Sequence, residues 1–275
     1  MLALLIAARF FVNEIGVACI IKTSACKPSI GKRLAIQYLG CSIIMLIVCL
    51  KTGDVHIIPV LIFVGLANSL ANYAYWLTTR DSLSQATMFT FDDSIAIILG
   101  AILLQEYKLI TWPFLVGALL MALAISTLSR GHKSSRKKAL LIAVYSLIWG
   151  GAAIVQKVFH VPLLQFLLNW YIGSTIGSLA IASLIWEKEH FQTKDYIPAI
   201  ALSVLIPVAL ALQVSIYKQA PIMLIQPILM SGKLILPTLV GIIIFKERVT
   251  TRRERTAMIL AACACVFMVI ALRGG

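Results

Sequence analysis

Long apolar runs separated by short polar gaps dominate this 275-residue chain. A helix that crosses a bilayer needs about 20 consecutive, mostly apolar residues. Runs of about this length cover residues 2–22, 34–51, 57–79, 83–105, 110–129, 139–158, 163–186, 196–217, 221–245 and 255–272. The pattern therefore predicts an all-α integral membrane protein with about ten transmembrane helices.

The composition favours the same class of protein. The chain is 60% hydrophobic and 13% charged, whereas soluble domains are about 45–50% apolar and about 25% charged. A net charge of +13 is also typical of nucleic-acid-binding proteins. Here the basic residues lie in the gaps between apolar runs, where membrane proteins carry their orientation signals. We therefore expect no nucleic-acid partner, and a multi-pass protein of the cell membrane (plasma or inner) surrounded by the lipid bilayer.

A basic gap at residues 131–138 divides the chain into two halves, residues 1–130 and 139–275, each with five predicted helices. The halves align in part. A shift of 141 residues lays Gln85 on Gln226, Asp92 on Lys233 and Glu106 on Glu247, and a shift of 135 lays Gly16 on Gly151 and Lys22 on Lys157. The shared order of these matches predicts an internal duplication.

Five helices per half is an odd number, so the second half enters the membrane from the side opposite to the first. The halves are then inverted repeats, related by a pseudo-twofold axis in the membrane plane. Inverted repeats are typical of secondary transporters, whose substrate sites lie near the bilayer midplane.

Several short motifs resemble the drug/metabolite transporter superfamily, in its EamA-like branch. The segment from Trp149-Gly150-Gly151 to Lys157 is similar to the family's opening Trp-Gly helix, which ends in a basic residue. Tyr217-Lys218-Gln219-Ala220-Pro221, continuing to Pro227, resembles its turn into a proline-bearing helix. Leu104-Gln105-Glu106 and Phe245-Lys246-Glu247 resemble its Gly-Glu step. The resemblance implies two EamA-like five-helix repeats and metabolite transport.

The chain departs from the family pattern at a few positions. Gln105 and Lys246 replace the glycine of the Gly-Glu step, and Asn13-Glu14 stands where a Trp-Gly pair is expected. Asp92-Asp93 lies in a helix that is usually neutral. These departures indicate either a distinct subfamily or a specialised substrate.

Five charged residues interrupt the apolar runs: Arg9, Glu14, Asp92, Asp93 and Lys233. An ionised side chain at the bilayer centre costs about 2.5–3.5 kcal/mol on insertion scales. Such residues are therefore expected to face one another or a water-filled cavity. Counted along their runs, Glu14, Asp92 and Lys233 lie well away from the helix ends, so one central cavity could contain all three.

Two glutamines are expected to share this cavity. Gln85 precedes Asp92 by seven residues, as Gln226 precedes Lys233. Seven residues make nearly two helical turns, so each pair lies on one face of its helix. We interpret these four residues as walls of a substrate site in which Asp92 and Lys233 pair when it is empty. Trp149 lies deep in its run and is a further candidate for the wall.

Two questions about the charged residues stay open at this stage. Either Glu14 or one of the adjacent aspartates, Asp92 and Asp93, could carry a coupling proton. The alternative to a transport role is a structural one, in which buried ion pairs fix the helix register; for Arg9, pairing with Glu14 or snorkelling is the preferred interpretation.

The favoured function is a secondary active transporter that moves a small metabolite by alternating access, either proton-coupled or as an exchanger. The alternatives are a channel or a non-transporting membrane scaffold. A membrane-embedded enzyme is less favoured, because the loops are short and poor in catalytic clusters. We expect no catalytic residues, cofactor or metal. Gly173-x-x-x-Gly177 indicates close helix packing or, alternatively, a homodimer contact.

Overall fold

The computed structural model describes residues 1–25, 29–80, 91–129, 136–185, 196–246 and 252–274, and within these ranges it is helical, without a β-strand. The first helix, α1, is α-helical over Leu2–Arg9, π-helical over Phe10–Val17 and α-helical again over Ala18–Ala25. The others are α2 (Ile30–Thr52), α3 (Pro59–Thr79), α4 (Phe91–Leu103), α5 (Trp112–Ser129), α6 (Arg136–Val158), α7 (Leu163–Leu184), α8 (Tyr196–Gln219), α9 (Ile222–Ile243) and α10 (Arg252–Gly274). A 3₁₀ helix, Glu106–Leu109, lies between α4 and α5. The predicted all-α class is confirmed for these residues.

The helix ends follow local sequence signals. Pro59 is the first residue of α3, and Pro162 and Pro221 directly precede α7 and α9; proline suits these positions because the first helical N–H groups have no partner in the helix. Gly53 ends α2 with a φ of 74°, a conformation that costs glycine little. The helix α6 begins at Arg136, so the last residues of the predicted 131–138 linker are helical.

Within the described ranges, eight helices are long and apolar enough to cross a membrane. The other two are α4, of which 13 residues are described, and α5, whose apolar part is Trp112–Thr127. Large apolar side chains point away from the protein at many positions, including Phe11, Phe63 and Ile197, which are 69%, 73% and 69% exposed. An exposed apolar surface this extensive is stable in lipid rather than in water. The fold is that of a multi-pass membrane protein.

Most of the extensive helix contacts join the first five helices to the last five. The helix α3 packs on α7, and α8 packs on α2. Likewise α4 packs on α6, and α9 packs on the π-helical part of α1. Three further pairs, α2 with α7, α4 with α9 and α5 with α10, also join the two halves. The two halves therefore form one interlocked bundle.

The tightest crossing, between α3 and α7, depends on glycine. A Cβ atom built on Gly65 would overlap the Trp170 carbonyl, and one built on Gly173 would overlap the Ile62 carbonyl. Gly177 meets the same helix, since its Cβ would overlap the Ser69 hydroxyl. The Gly173-x-x-x-Gly177 motif thus packs against α3 of the same chain; the homodimer alternative stays a prediction.

Candidate functional site

The π-helical part of α1 brings two opposite charges together. Arg9 and Glu14 are five residues apart, which in an α-helix separates their directions by about 140°. A π-helix bonds residue i to residue i+5, so five residues make slightly more than one turn. The Arg9 Nη1 donates to Glu14 Oε1 at 2.7 Å, and Asn13 Nδ2 donates to the same oxygen at 2.9 Å. Arg9 and Glu14 are 2% and 5% exposed, so α1 buries a paired charge.

A second ion cluster joins α4 to α9. The Lys233 ammonium group lies 2.9 Å from Asp92 Oδ2 and 2.8 Å from Asp93 Oδ1. Both aspartates are buried. One ammonium group therefore serves two adjacent carboxylates, and the outer oxygens, Asp92 Oδ1 and Asp93 Oδ2, have no hydrogen-bond partner among the described residues.

A chain of hydrogen bonds connects the two charge clusters through α8 and α9. Arg9 donates from Nε and Nη2 to Gln213 Oε1, at 3.3 and 3.1 Å. Gln213 Nε2 donates to the Tyr217 hydroxyl at 3.1 Å, and that hydroxyl donates to Gln226 Oε1 at 2.6 Å. Gln226 Nε2 in turn donates to Asp93 Oδ1. Each donor in this series of hydrogen bonds is buried. A change of charge at either end therefore alters the polarisation of the whole series.

Both clusters line one cavity of about 120 Å³. Its polar wall contains the Arg9–Glu14 pair, Asp92 and Lys233, together with amide side chains from several helices. The cavity is close in size to the engineered cavity of about 150 Å³ that holds benzene. It can therefore hold a small molecule or a few waters, and it is smaller than the pockets of about 300–1,000 Å³ that take drug-sized ligands.

Aromatic rings form much of the remaining wall. Tyr75, Tyr145, Trp149 and Trp170 line the cavity in succession, with ring centroids 5.6, 6.4 and 6.3 Å apart. The residues Tyr38, Tyr171 and Tyr217 also line it. The seven aromatic residues of the wall come from α2, α3, α6, α7 and α8. The cavity thus combines a charged region, built from α1, α4 and α9, with an aromatic one.

Lysine side chains hold the ends of two helices near this site. Lys157, close to the end of α6, donates to the carbonyls of Tyr217 and Ala220 where α8 ends, at 2.9 Å in the second case. Lys22, close to the end of α1, donates to the Thr79 carbonyl, the last residue of α3, at 3.3 Å. Carbonyl groups at helix ends lack partners within the helix, and an ammonium group satisfies them.

A carboxylate holds the start of α9. Glu106 accepts the backbone N–H groups of Ile222 and Met223, at 3.1 and 2.8 Å. The first N–H groups of a helix have no partner within it, and the helix dipole favours a negative charge there. Glu106 and Lys157 therefore fix the α8–α9 turn from two sides.

The sequence-predicted site residues that the structure describes lie close together. Glu14, Asp92, Lys233, Gln226 and Trp149 line the cavity. Asp93 lies outside the cavity lining but contacts Lys233 and Gln226. Gln85 lies outside the described residues. That these side chains bind or couple a substrate stays a prediction.

Other parts of the wall were not predicted. The pattern of the apolar runs alone does not distinguish five of the lining residues from lipid-facing ones. These are Gln213 of α8 and the tyrosines Tyr38, Tyr75, Tyr145 and Tyr171. A partial signal exists for Gln213, because it lies in a run otherwise free of strongly polar groups until Lys218. An isolated amide inside a membrane helix usually has a partner on another helix.

Comparisons with known proteins support the fold alone. No family model matches the chain, and no curated protein matches it. Among the solved structures that match it, one crystal structure aligns with a TM-score of 0.76 and 12% sequence identity, over 99% of this chain and 98% of its own. At this identity the similarity shows the fold alone. A known protein therefore has this fold over nearly its full length.

Proposed function

We propose that this protein is a secondary carrier of a small metabolite, built as two inverted five-helix repeats of the EamA-like type and working by alternating access. The main observation behind the proposal is the buried charge network around one cavity. Ionisable groups inside a membrane are costly, and they typically mark substrate or ion pathways. Here α1 and α4 of the first half and α8 and α9 of the second contribute to one connected network.

The helix packing supports the repeat, and with it ten membrane spans. Suppose that α1–α5 correspond in order to α6–α10. The packing of α3 on α7 is then the counterpart of the packing of α8 on α2, and the packing of α4 on α6 is the counterpart of the packing of α9 on α1. The pairs α2–α7, α4–α9 and α5–α10 each correspond to themselves, as pairs on a twofold axis do. An arrangement in which one half rocks against the other around a central site follows from such symmetry.

Individual side chains follow the same correspondence. Lys22 holds the end of α3, as Lys157 holds the end of α8. Gly40 of α2 lies against Ser203 of α8, and Gly177 of α7 lies against Ser69 of α3. Under the shift that aligns α4 with α9, Asp92 and Lys233 are equivalent positions, so their ion pair would lie on the pseudo-twofold axis.

A carrier fits this cavity better than a channel does. Arg9, Glu14, Asp92 and Lys233 meet at one cavity, whereas a channel favours a continuous polar path across the membrane. A membrane scaffold needs no cavity whose lining residues leave buried polar atoms without partners. Three lining residues do so among the described residues, at Asp92 Oδ1, Trp149 Nε1 and the Tyr171 hydroxyl.

The direct test is counterflow in proteoliposomes that contain the purified full-length protein. Vesicles are loaded in turn with cationic, zwitterionic, neutral and anionic metabolites, and uptake of the same labelled compound is followed. A carrier gives uptake that saturates with concentration and is accelerated by the internal compound. Flux that rises linearly, without acceleration, would identify a channel, and no flux beyond that of protein-free vesicles across the panel would favour a scaffold.

Proton coupling, if present, is expected at the aspartate cluster rather than at Glu14. Glu14 is neutralised by Arg9, whereas Asp92 and Asp93 share the single charge of Lys233. Other groups that face Glu14 are Asn13 on its own helix, Gln213 of α8 through Arg9, and Tyr75 of α3 across the cavity.

We therefore expect Asp92→Asn to remove the pH dependence of counterflow, and Glu14→Gln to retain it at a lower rate. The rates are measured between pH 6 and 8 with the compound that the panel identifies. Retained pH dependence in Asp92→Asn together with its loss in Glu14→Gln would assign the proton to Glu14 instead.

A further inference from the structure

The charges around the cavity do not balance. Three carboxylates, those of Glu14, Asp92 and Asp93, face two cations, Arg9 and Lys233, which leaves one negative charge among the described residues of the network. An unbalanced charge in a low-dielectric interior costs several kcal/mol unless a proton or an opposite charge neutralises it, so a cationic ligand and a proton would compete for this position. The excess lies at the Asp92–Asp93 end, because Arg9 and Glu14 neutralise each other.

A free acceptor marks where a positive ligand would bind. Asp92 Oδ2 binds Lys233, while Asp92 Oδ1 has no partner among the described residues, although Asp92 is only 3% exposed. Since Asp92 also lines the cavity, its carboxylate is the group that a cation in the cavity would approach. An anion would meet the same carboxylate and be repelled.

The aromatic wall selects among cations. Tyr75, Tyr145, Trp149 and Trp170 line the cavity together with a small set of amide groups. Aromatic rings around a cation provide the recognition used for quaternary and methylated ammonium groups, and tryptophan is the strongest of the three ring types. A hydrated inorganic cation gains little from such a wall, because it needs oxygen ligands.

We propose that the cavity binds a small monovalent organic cation of the methylated-ammonium class, with its charge near Asp92 and its methyl groups against the Tyr145–Trp149 rings. The size of the cavity, about 120 Å³, limits the ligand to roughly the bulk of benzene. The inference names the substrate class for the carrier proposed above and therefore rests on that function. Binding itself, however, can be measured without transport.

The test is calorimetric titration of the full-length protein in detergent with three probes of nearly equal shape. Choline carries a positive charge, 3,3-dimethylbutan-1-ol is its uncharged counterpart, and 3,3-dimethylbutanoate carries a negative charge. We expect saturable binding of choline, binding of the alcohol weaker by about tenfold or more, and no binding of the carboxylate. Equal binding of choline and the alcohol, or a preference for the carboxylate, would overturn the inference.

Two variants separate the charge from the aromatic wall. Asp92→Asn keeps the Lys233–Asp93 pair and is expected to weaken choline binding to the level of the alcohol. Tyr145→Leu removes a ring and is expected to weaken choline binding by about tenfold, more than Tyr145→Phe, which keeps one. The exposed Lys218→Met serves as the unaffected control, and melting temperatures check that each variant is folded. Unchanged choline binding in Asp92→Asn would also overturn the inference.

The outcomes distinguish this inference from the proposed function. If choline binds but no compound shows counterflow, the cation site stands and the carrier is wrong. If the counterflow panel identifies a neutral or anionic metabolite and choline does not bind, the carrier stands and the cation site is wrong.

Discussion

Replacing Lys233 by methionine is expected to lower the free energy of unfolding by about 3–5 kcal/mol, which is the typical cost of removing one partner from a buried ion pair. Methionine has nearly the length of lysine but no charge. The variant leaves Asp92 and Asp93, both buried, without the ammonium group that contacts them at 2.9 and 2.8 Å. Transport is expected to be lost as well, because Lys233 lines the cavity.

A triple variant can distinguish a structural from a functional role for this cluster. Replacing a complete buried ion cluster by neutral residues of similar volume is often neutral or stabilising. Lys233→Met combined with Asp92→Asn and Asp93→Asn is therefore expected to recover most of the lost stability but no counterflow. The exposed Lys218→Met should change the unfolding free energy by less than about 1 kcal/mol.

Unfolding in detergent, followed by circular dichroism, gives the stabilities, and counterflow gives the activities. Recovery of transport in the triple variant would show that the buried charges have only a structural role. A Lys233→Met protein as stable as the unchanged one would mean that the ion cluster does not form.

The lengths of the helices could be predicted from the sequence, because the bilayer requires about 20 apolar residues for each span. Most observed ends lie within a few residues of the predicted ones; α8, for example, was predicted over 196–217 and ends at Gln219. The fourth span, predicted over 83–105, can be compared only from Phe91 onward. With 13 residues of α4 described and an apolar part of α5 that covers only Trp112–Thr127, the described residues contain eight helices long and apolar enough to cross a membrane. The number of ten spans stays a prediction.

The charged part of the site was also accessible from sequence. Ionised groups in lipid are so costly that Glu14, Asp92 and Lys233 could be expected to meet, even though they lie on three helices. The pairing of Asp92 with Lys233, and of Arg9 with Glu14, could be proposed from the sequence, but the backbone geometry behind it was not predictable. Arg9 reaches Glu14 because α1 becomes π-helical, and nothing in the pattern of apolar residues distinguishes a π-helix from an α-helix.

The aromatic wall could not be predicted, for a different reason. In a membrane helix a tyrosine or tryptophan is compatible with lipid, with the interface and with the interior. Trp112 is 75% exposed, whereas Trp170 is 1% exposed. Only the packing of α2, α3, α6 and α7 determines which rings reach the cavity, and that packing depends on close approaches at glycine residues that hydrophobicity does not reveal.

These close approaches lead to the second large effect, at Gly173. Alanine at this position is expected to lower the unfolding free energy by about 3 kcal/mol, the upper part of the usual range for overpacking. The new methyl group would overlap the Ile62 carbonyl oxygen, with the Ile62 carbonyl carbon at 2.7 Å and the Leu66 nitrogen at 2.9 Å. All three are backbone atoms and cannot rotate away, so α3 and α7 must separate.

Gly151, in the middle of α6, is the matched control, because a Cβ built there has no atom within 4 Å. Gly151→Ala is expected to stabilise the protein by about 0.5–1 kcal/mol, the usual gain in helix propensity. Gly65→Ala should resemble Gly173→Ala, since its methyl group would overlap the Trp170 carbonyl. The double variant Gly65→Ala/Gly173→Ala should cost less than the two single changes together, because one separation of the helices relieves both overlaps. Full additivity, or equal stability of Gly173→Ala and Gly151→Ala in the same detergent titration, would contradict this crossing.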